Sequence, residues 1–155
     1  MGRKRIYVAG PLFSSHERQY LEELVKIVSG KLGVPETAFF LPHRDAGDLG
    51  VASQSRPDMF RRDKAALDES DAVIAMLDGP DVDAGTAVEI GYADAKNKPV
   101  FGILTDWRYW KGDRRIEGKP LNNMVWGVCK EGRSIYKSFY DPRLIRELKR
   151  ALKDE

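Results

Sequence analysis

The 155 residues are 42% hydrophobic and 32% charged, too apolar for a disordered chain and too charged for a membrane bundle, so a single globular domain spanning 1–155 is expected. Lys and Arg number 26 against 24 Asp and Glu, and a formal charge of only +2 gives no general case for nucleic-acid or membrane partners. One cysteine, Cys129, excludes an internal disulfide and suits a reducing cytoplasm, and no run approaches the roughly 18 apolar residues of a membrane span.

In chain order, Ile6-Tyr7-Val8-Ala9 is a short apolar run closed by Gly10-Pro11, as expected of a buried strand. Ser14 and Glu17 form a capping-box pattern. Leu21, Leu24, Val25, Val28 and Leu32 follow at helical spacing, predicting an amphipathic helix over about 15–32 that Gly33 and Pro35 stop. Residues 38–41 read as a second strand. Residues 42–57 lack periodicity and hold Gly47 and Gly50; a loop that long in a small domain is more often functional than filler. A second helix is expected over 58–69, and 72–77 (AVIAML) reads as a strand covered on both faces. Turn chemistry over 78–83 leads to a third helix over 84–96 and another buried strand over 99–104. A second irregular loop is expected from 105 to about 123, a last strand over 134–136, and a C-terminal helix after Asp141-Pro142 with Leu144, Ile145, Leu148 and Leu152 inward. Strands alternating with helices, the strands unbroken in their apolar character, predict an α/β fold with a doubly wound parallel sheet. Ligands of such sheets bind at the carboxyl ends of the strands, here the segments 10–16, 42–57, 78–83 and 105–123.

Four side chains stand out against this framework. Glu89 is the one charged residue in AGTAVEIGYA (84–93), a helix apolar enough all round to be buried, where a carboxylate is costly unless paired. It is either a structural glutamate meeting a backbone donor or an arginine, or a group doing chemistry. Asp63 shares a helix face with Phe60 and Leu67, whether as the edge of the apolar stripe or as a second acid. Asp83 stands where an N-cap is common, six residues before Glu89 and off its face, so that a shared site would require it to reach in from the loop. Tyr7 is a strand aromatic whose phenol, if not merely core, could bond a carboxylate at the sheet edge. No G-x-G-x-x-G, Walker or G-x-S-x-G pattern occurs, and His16 and His43 lack partners at metal-ligand spacing, so no metal or cofactor is expected. His43-Arg44-Asp45 reads as a solvated turn, with Arg44 able to meet an anion.

Tyr7-Val8-Ala9-Gly10-Pro11, the segment Asp83-Ala84-Gly85-Thr86-Ala87-Val88-Glu89-Ile90-Gly91-Tyr92-Ala93, and Leu121-Asn122-Asn123-Met124-Val125-Trp126-Gly127 together resemble nucleoside 2'-deoxyribosyltransferases, in order from about residue 5 to 128. That resemblance implies a flavodoxin-like sheet of about five parallel strands flanked by helices. It makes Glu89 the nucleophile that takes the deoxyribose from one base and yields it to another with retention, oriented by Tyr7. It makes Asp63 and Asp83 substrate contacts, one of them handing a proton to the departing base. Gly10, Pro11, Gly85, Asn122 and Met124 join the substrate-binding set, with deoxynucleosides and free nucleobases as partners. Asn122 is implied to reach a neighbouring subunit's site, and hence a homo-oligomer. A related branch, nucleoside 5'-monophosphate N-glycosidases, gives the sugar to water; Ser14, Ser15, His16, Arg18 and Arg44 are candidate 5'-phosphate ligands for it, whereas Asn122-x-Met124 resembles the transferase motif. A non-catalytic nucleotide-binding module on the same fold is the third reading.

Overall fold

The first apolar run forms β1 (Ile6–Ala9), with every side chain buried because successive residues point to opposite faces and both faces are covered. The computed structural model describes residues 4–46, 55–111, 114–115 and 121–153. Among these, β2 (Phe39–Phe40), β3 (Ala72–Met76), β4 (Val100–Ile103) and β7 (Ile135–Tyr136) join β1 in one all-parallel sheet of order β2-β1-β3-β4-β7. Ile6 pairs with Phe39 on one side and Ala72 on the other, and Gly102 pairs with Ile135. That order is flavodoxin-like, and it reverses between β1 and β3, so a cleft is expected beyond the carboxyl ends of those two strands. The short β5 (Trp110–Lys111) and β6 (Arg114–Arg115) form a separate antiparallel pair within the second loop.

Strand alternation divides the core. Ile6, Val8, Ile74, Phe101 and Ile103 face α1 (Ser15–Leu32) and α5 (Pro142–Ala151), which contribute Leu21, Leu24, Val28, Leu144 and Leu148. Tyr7, Ala9, Val73, Ala75 and Val100 face α2 (Arg56–Glu69), α3 (Ala84–Ala95) and α4 (Asn123–Val128), which contribute Leu67, Ile90, Ala93 and Val125. The capping box of α1 forms as the spacing implies: Ser14 Oγ accepts from the Glu17 amide and the Glu17 carboxylate accepts from the Ser14 amide at 2.7 Å. Gly33 closes the helix at φ 74, a left-handed position that glycine takes without strain.

Several boundaries move. Helix α2 starts at Arg56 rather than 58, because Ser55 caps it and Pro57 sits in the first turn, where a missing N–H costs nothing. β2 holds two residues, since Glu36–Ala38 forms a 3₁₀ turn first. The long loop begins with a π-helical turn at Pro42–Ala46, and its residues 47–54, with Gly47 and Gly50, lie outside the described residues. Helix α4 has no counterpart in the sequence reading: six residues are too few to show a period.

The triplet His43-Arg44-Asp45 is a structural device. Arg44 donates to the Phe39 carbonyl at 2.8 Å, and the Leu41 amide donates to Asp45 at 2.8 Å. Those backbone groups flank Phe40 on the edge strand, and side chains now occupy them as a further parallel strand would. Arg44 and Asp45 also bond each other at 2.9 Å.

Candidate active site

Tyr7, on β1, points to the α2–α3 side of the sheet, fully buried, with its ring stacked on Phe40 at 5.4 Å between centroids. Its hydroxyl donates to Glu89 Oε1 at 2.6 Å, joining residues 82 apart in sequence. Glu89 reaches the contact from the second turn of α3 and is half-buried. Asp63 approaches from α2, also half-buried, and its Oδ1 is shut away from solvent with no hydrogen-bond partner among the described residues. Asp83 is the N-cap of α3: its Oδ2 accepts from the Thr86 amide at 2.9 Å and from Thr86 Oγ1 at 3.2 Å.

The three acids share one electrostatic neighbourhood. Burial raises the Glu89 carboxyl, the Tyr7 hydrogen bond opposes that, and the charges of Asp63 and Asp83 add to the rise, leaving it at about 7. Burial alone lifts Asp63 to about 6. Burial first, then the negative charges of Glu89 and Asp63, push the Tyr7 phenol far up, so it stays a neutral donor. Asp83 thus acts on Glu89 through its charge while its carboxylate caps the helix. Two neighbouring carboxyls raised to about 7 and about 6, one of them held by a phenol donor, can share a single proton near neutrality, and a pair with one proton between them has the makings of a nucleophile and a general acid.

The remaining candidates divide. Gly10 follows β1 in close packing: a Cβ there would lie 3.0 Å from Met76 Cβ and 3.1 Å from Leu21 Cδ2, which is a structural reason for glycine. Pro11 continues the same strand-end loop. Gly85 lies exposed in the first turn of α3, where a Cβ would stand 3.1 Å from Asp83 Oδ2. Asn122 caps α4, its Oδ1 accepting from the Met124 amide at 2.9 Å. With Met124 it lines a cavity of about 340 Å³ between α3 and α4 rather than the Tyr7–Glu89 contact. Among the candidate phosphate ligands, Ser14 is engaged in its cap, Arg18 donates to the Leu12 and Phe13 carbonyls, and Arg44 seals the β2 edge; Ser15 and His16 are exposed.

One expectation is corrected. Helix α3 is not buried all round: Thr86, Ile90 and Ala93 face the core, but Val88 is 70% exposed. The helix covers one side of the sheet, and among the described residues nothing covers Val88 on its outer face. Three contributors escaped the sequence reading: Phe40 beneath Tyr7, Thr86 beneath Asp83, and Asp78. The Asp78 carboxylate accepts from the Thr105 amide at 2.7 Å and the Asp106 amide at 3.1 Å, tying the loop after β4 to the loop after β3. Its signal was its place directly after the AVIAML run, at a strand end where sites of such sheets form.

The family profile described as nucleoside 2-deoxyribosyltransferase matches residues 6–132. A conserved protein from Enterococcus faecalis is 31% identical, with 96% of this chain and 99% of that chain covered and a TM-score of 0.78. A 2-deoxyribosyltransferase from Leishmania mexicana shares the fold at 22% identity, over 97% and 99% of the two chains, with a TM-score of 0.67. A CMP N-glycosidase from Clostridium botulinum shares it at 19% identity, over 96% and 100%, with a TM-score of 0.52.

Proposed function

The chain belongs to the nucleoside 2-deoxyribosyltransferase family, and on that premise we propose that it moves a 2'-deoxyribosyl group between nucleobases through an ester on Glu89. The observation that carries this reading is the 2.6 Å bond from buried Tyr7 to a half-buried carboxylate on an apolar helix. A Glu89 oxygen attacks C1' of the deoxynucleoside as the bond to the base nitrogen breaks, and the bonding pair leaves with the base. Asp63 supplies the proton, since its Oδ1 has no partner among the described residues, whereas Asp83 accepts two bonds as a cap. An incoming base then attacks the same carbon, the ester breaks, and the proton returns to Asp63. Two inversions give retention. A sugar without a 2'-hydroxyl lacks one electron-withdrawing group, which favours the oxocarbenium-like transition state.

A homo-oligomer belongs to the same proposal. Val88, Met124 and Trp107, at 70%, 76% and 81% exposure, are large apolar side chains on α3, α4 and the loop after β4. A second copy covering them would bring Asn122 and Met124 to a neighbouring site. Among the described residues no helix is long and apolar enough to cross a membrane.

Deoxyinosine incubated with adenine should yield deoxyadenosine and hypoxanthine by chromatography, and Glu89→Ala should abolish the exchange while leaving the circular dichroism spectrum unchanged. Near-normal exchange by that variant would remove Glu89 as nucleophile. The second reading, hydrolysis of a nucleoside 5'-monophosphate, draws on exposed Ser15 and His16 at the start of α1, beside the loop after β1. Base release from a monophosphate into water, with no exchange between bases, would select it.

A further inference from the structure

We propose that the groove between α5 and the outer edge of β7 is a binding site for a compact polyphosphate anion. The groove has a volume of about 550 Å³ and is lined by Lys130, Arg133, Arg143, Arg146 and Arg150 against one carboxylate, Glu147, beside Tyr136. Residues 130–155 carry eight basic and five acidic side chains, a net +3 in a chain whose total is +2, so the other 129 residues sum to −1. Such asymmetry in a nearly neutral protein marks an anion-binding surface.

Arg143 is clamped on the Asp141 carboxylate at 2.6 Å, whereas three of the arginines are held loosely. Arg150 meets Glu147 at 2.8 Å and Arg146 meets the same carboxylate at 3.8 Å, while Arg133 pairs with Glu131 at 3.2 Å. Exposed pairs of this kind contribute little to stability, so a phosphate offering bidentate acceptors can replace them. The backbone adds a second observation. Lys130 and Glu131 both hold left-handed φ values, 51° and 52°, ahead of Gly132 at 76°. Two strained non-glycine residues in succession turn the chain so that Lys130 and Arg133 line the same groove, and strain of this sort gathers at functional sites.

The size and surroundings favour a small ligand. The volume is that of a small-molecule site. The apolar face of α5 is spent on the core through Leu144 and Leu148, which leaves no face for insertion into a lipid surface. Tyr136 and Phe101 belong to the α1–α5 side of the sheet, whereas Tyr7 lies on the α2–α3 side, so the groove is separate from the Glu89 cleft and the inference does not depend on the transferase reading.

Titration calorimetry with inorganic triphosphate and, separately, ATP tests this. Both should bind, and Arg146→Ala/Arg150→Ala should weaken each by about tenfold or more. Lys26→Ala/Lys96→Ala removes the same charge from exposed positions on α1 and at the C-cap of α3 and should leave binding unchanged. Equal affinity for the two ligands identifies the phosphate chain as the recognised group; tighter ATP binding that is lost in the arginine variant extends the site to the nucleoside. No binding at millimolar triphosphate, equal weakening by both double variants, or a single-stranded RNA bound more tightly than triphosphate would overturn the proposal.

Discussion

Glu89 must be ionised to attack, yet its surroundings raise it to about 7. Under the transferase reading, with Glu89 ionised and Asp63 protonated, kcat/KM should therefore trace a bell with limbs near pH 6 and 7. Tyr7→Phe removes the one donor to that carboxylate among the described residues. A hydrogen bond to a charged group is worth about 1.5–3 kcal/mol, which moves the Glu89 limb up by about one to two pH units. The variant should lose about tenfold at pH 7; a pH–rate profile checks it, and an unmoved limb would sever Tyr7 from the nucleophile. Stability carries the same sign information. A carboxyl that folding raises from 4.5 to about 7 binds its proton more tightly in the folded state, so its contribution is most favourable below about 4.5 and is lost as pH rises towards 7. Glu89→Gln keeps an acceptor for Tyr7 and removes the charge. Its melting temperature should exceed the parent's by a margin that is small near pH 4.5 and grows to pH 8, read by thermal denaturation at both.

At the scale of the element, α4 poses the sharpest question, because Asn122 is both its N-cap and a residue of the implied substrate set. Six residues form a helix only with help from packing and caps. Asn122→Ser retains a capping oxygen and should melt with the parent, whereas Asn122→Ala should cost about 1 kcal/mol. Exchange activity lost in the serine variant at unchanged stability would assign the amide to substrate; activity retained would leave Asn122 a cap alone. The edge of β2 shows how a charged triplet misleads. In sequence, His43-Arg44-Asp45 suggests solvent or an anion, yet Arg44 and Asp45 take up the outward backbone groups of Phe39 and Leu41. Gly102 in β4 is likewise decided by neighbours: a Cβ there would stand 2.6 Å from Leu77 Cδ1 and 3.2 Å from Cys129 Sγ.

For the whole molecule, the apolar side chains left outside are as informative as those inside. Val88, Met124 and Trp107 lie on elements that surround the cavity holding Asn122 or the helix holding Glu89. Exposed apolar surface beside a site is a mark of association. The parent should run as an oligomer in light scattering, and Met124→Glu, which places a charge in that surface, should shift it towards monomer with a matching fall in exchange activity. A parent that is monomeric and fully active would remove the shared site.

The order of the sheet strands and longer helices, the capping box of α1, the parallel sheet and the lone acid of the third helix were legible along the chain, because each rests on local periodicity, turn chemistry or composition within a few residues; the six-residue α4 and the short β5–β6 pair were not. What folding alone decided lies between distant residues. The phenol of Tyr7 meets a carboxylate 82 positions away, one oxygen of Asp63 loses solvent without gaining a partner among the described residues, and the Asp83 cap adds its charge at Glu89. The outer face of α3 proved open although its composition suggested burial. Ionisation and burial depend on what the rest of the chain places around a group, and one-dimensional spacing does not encode that.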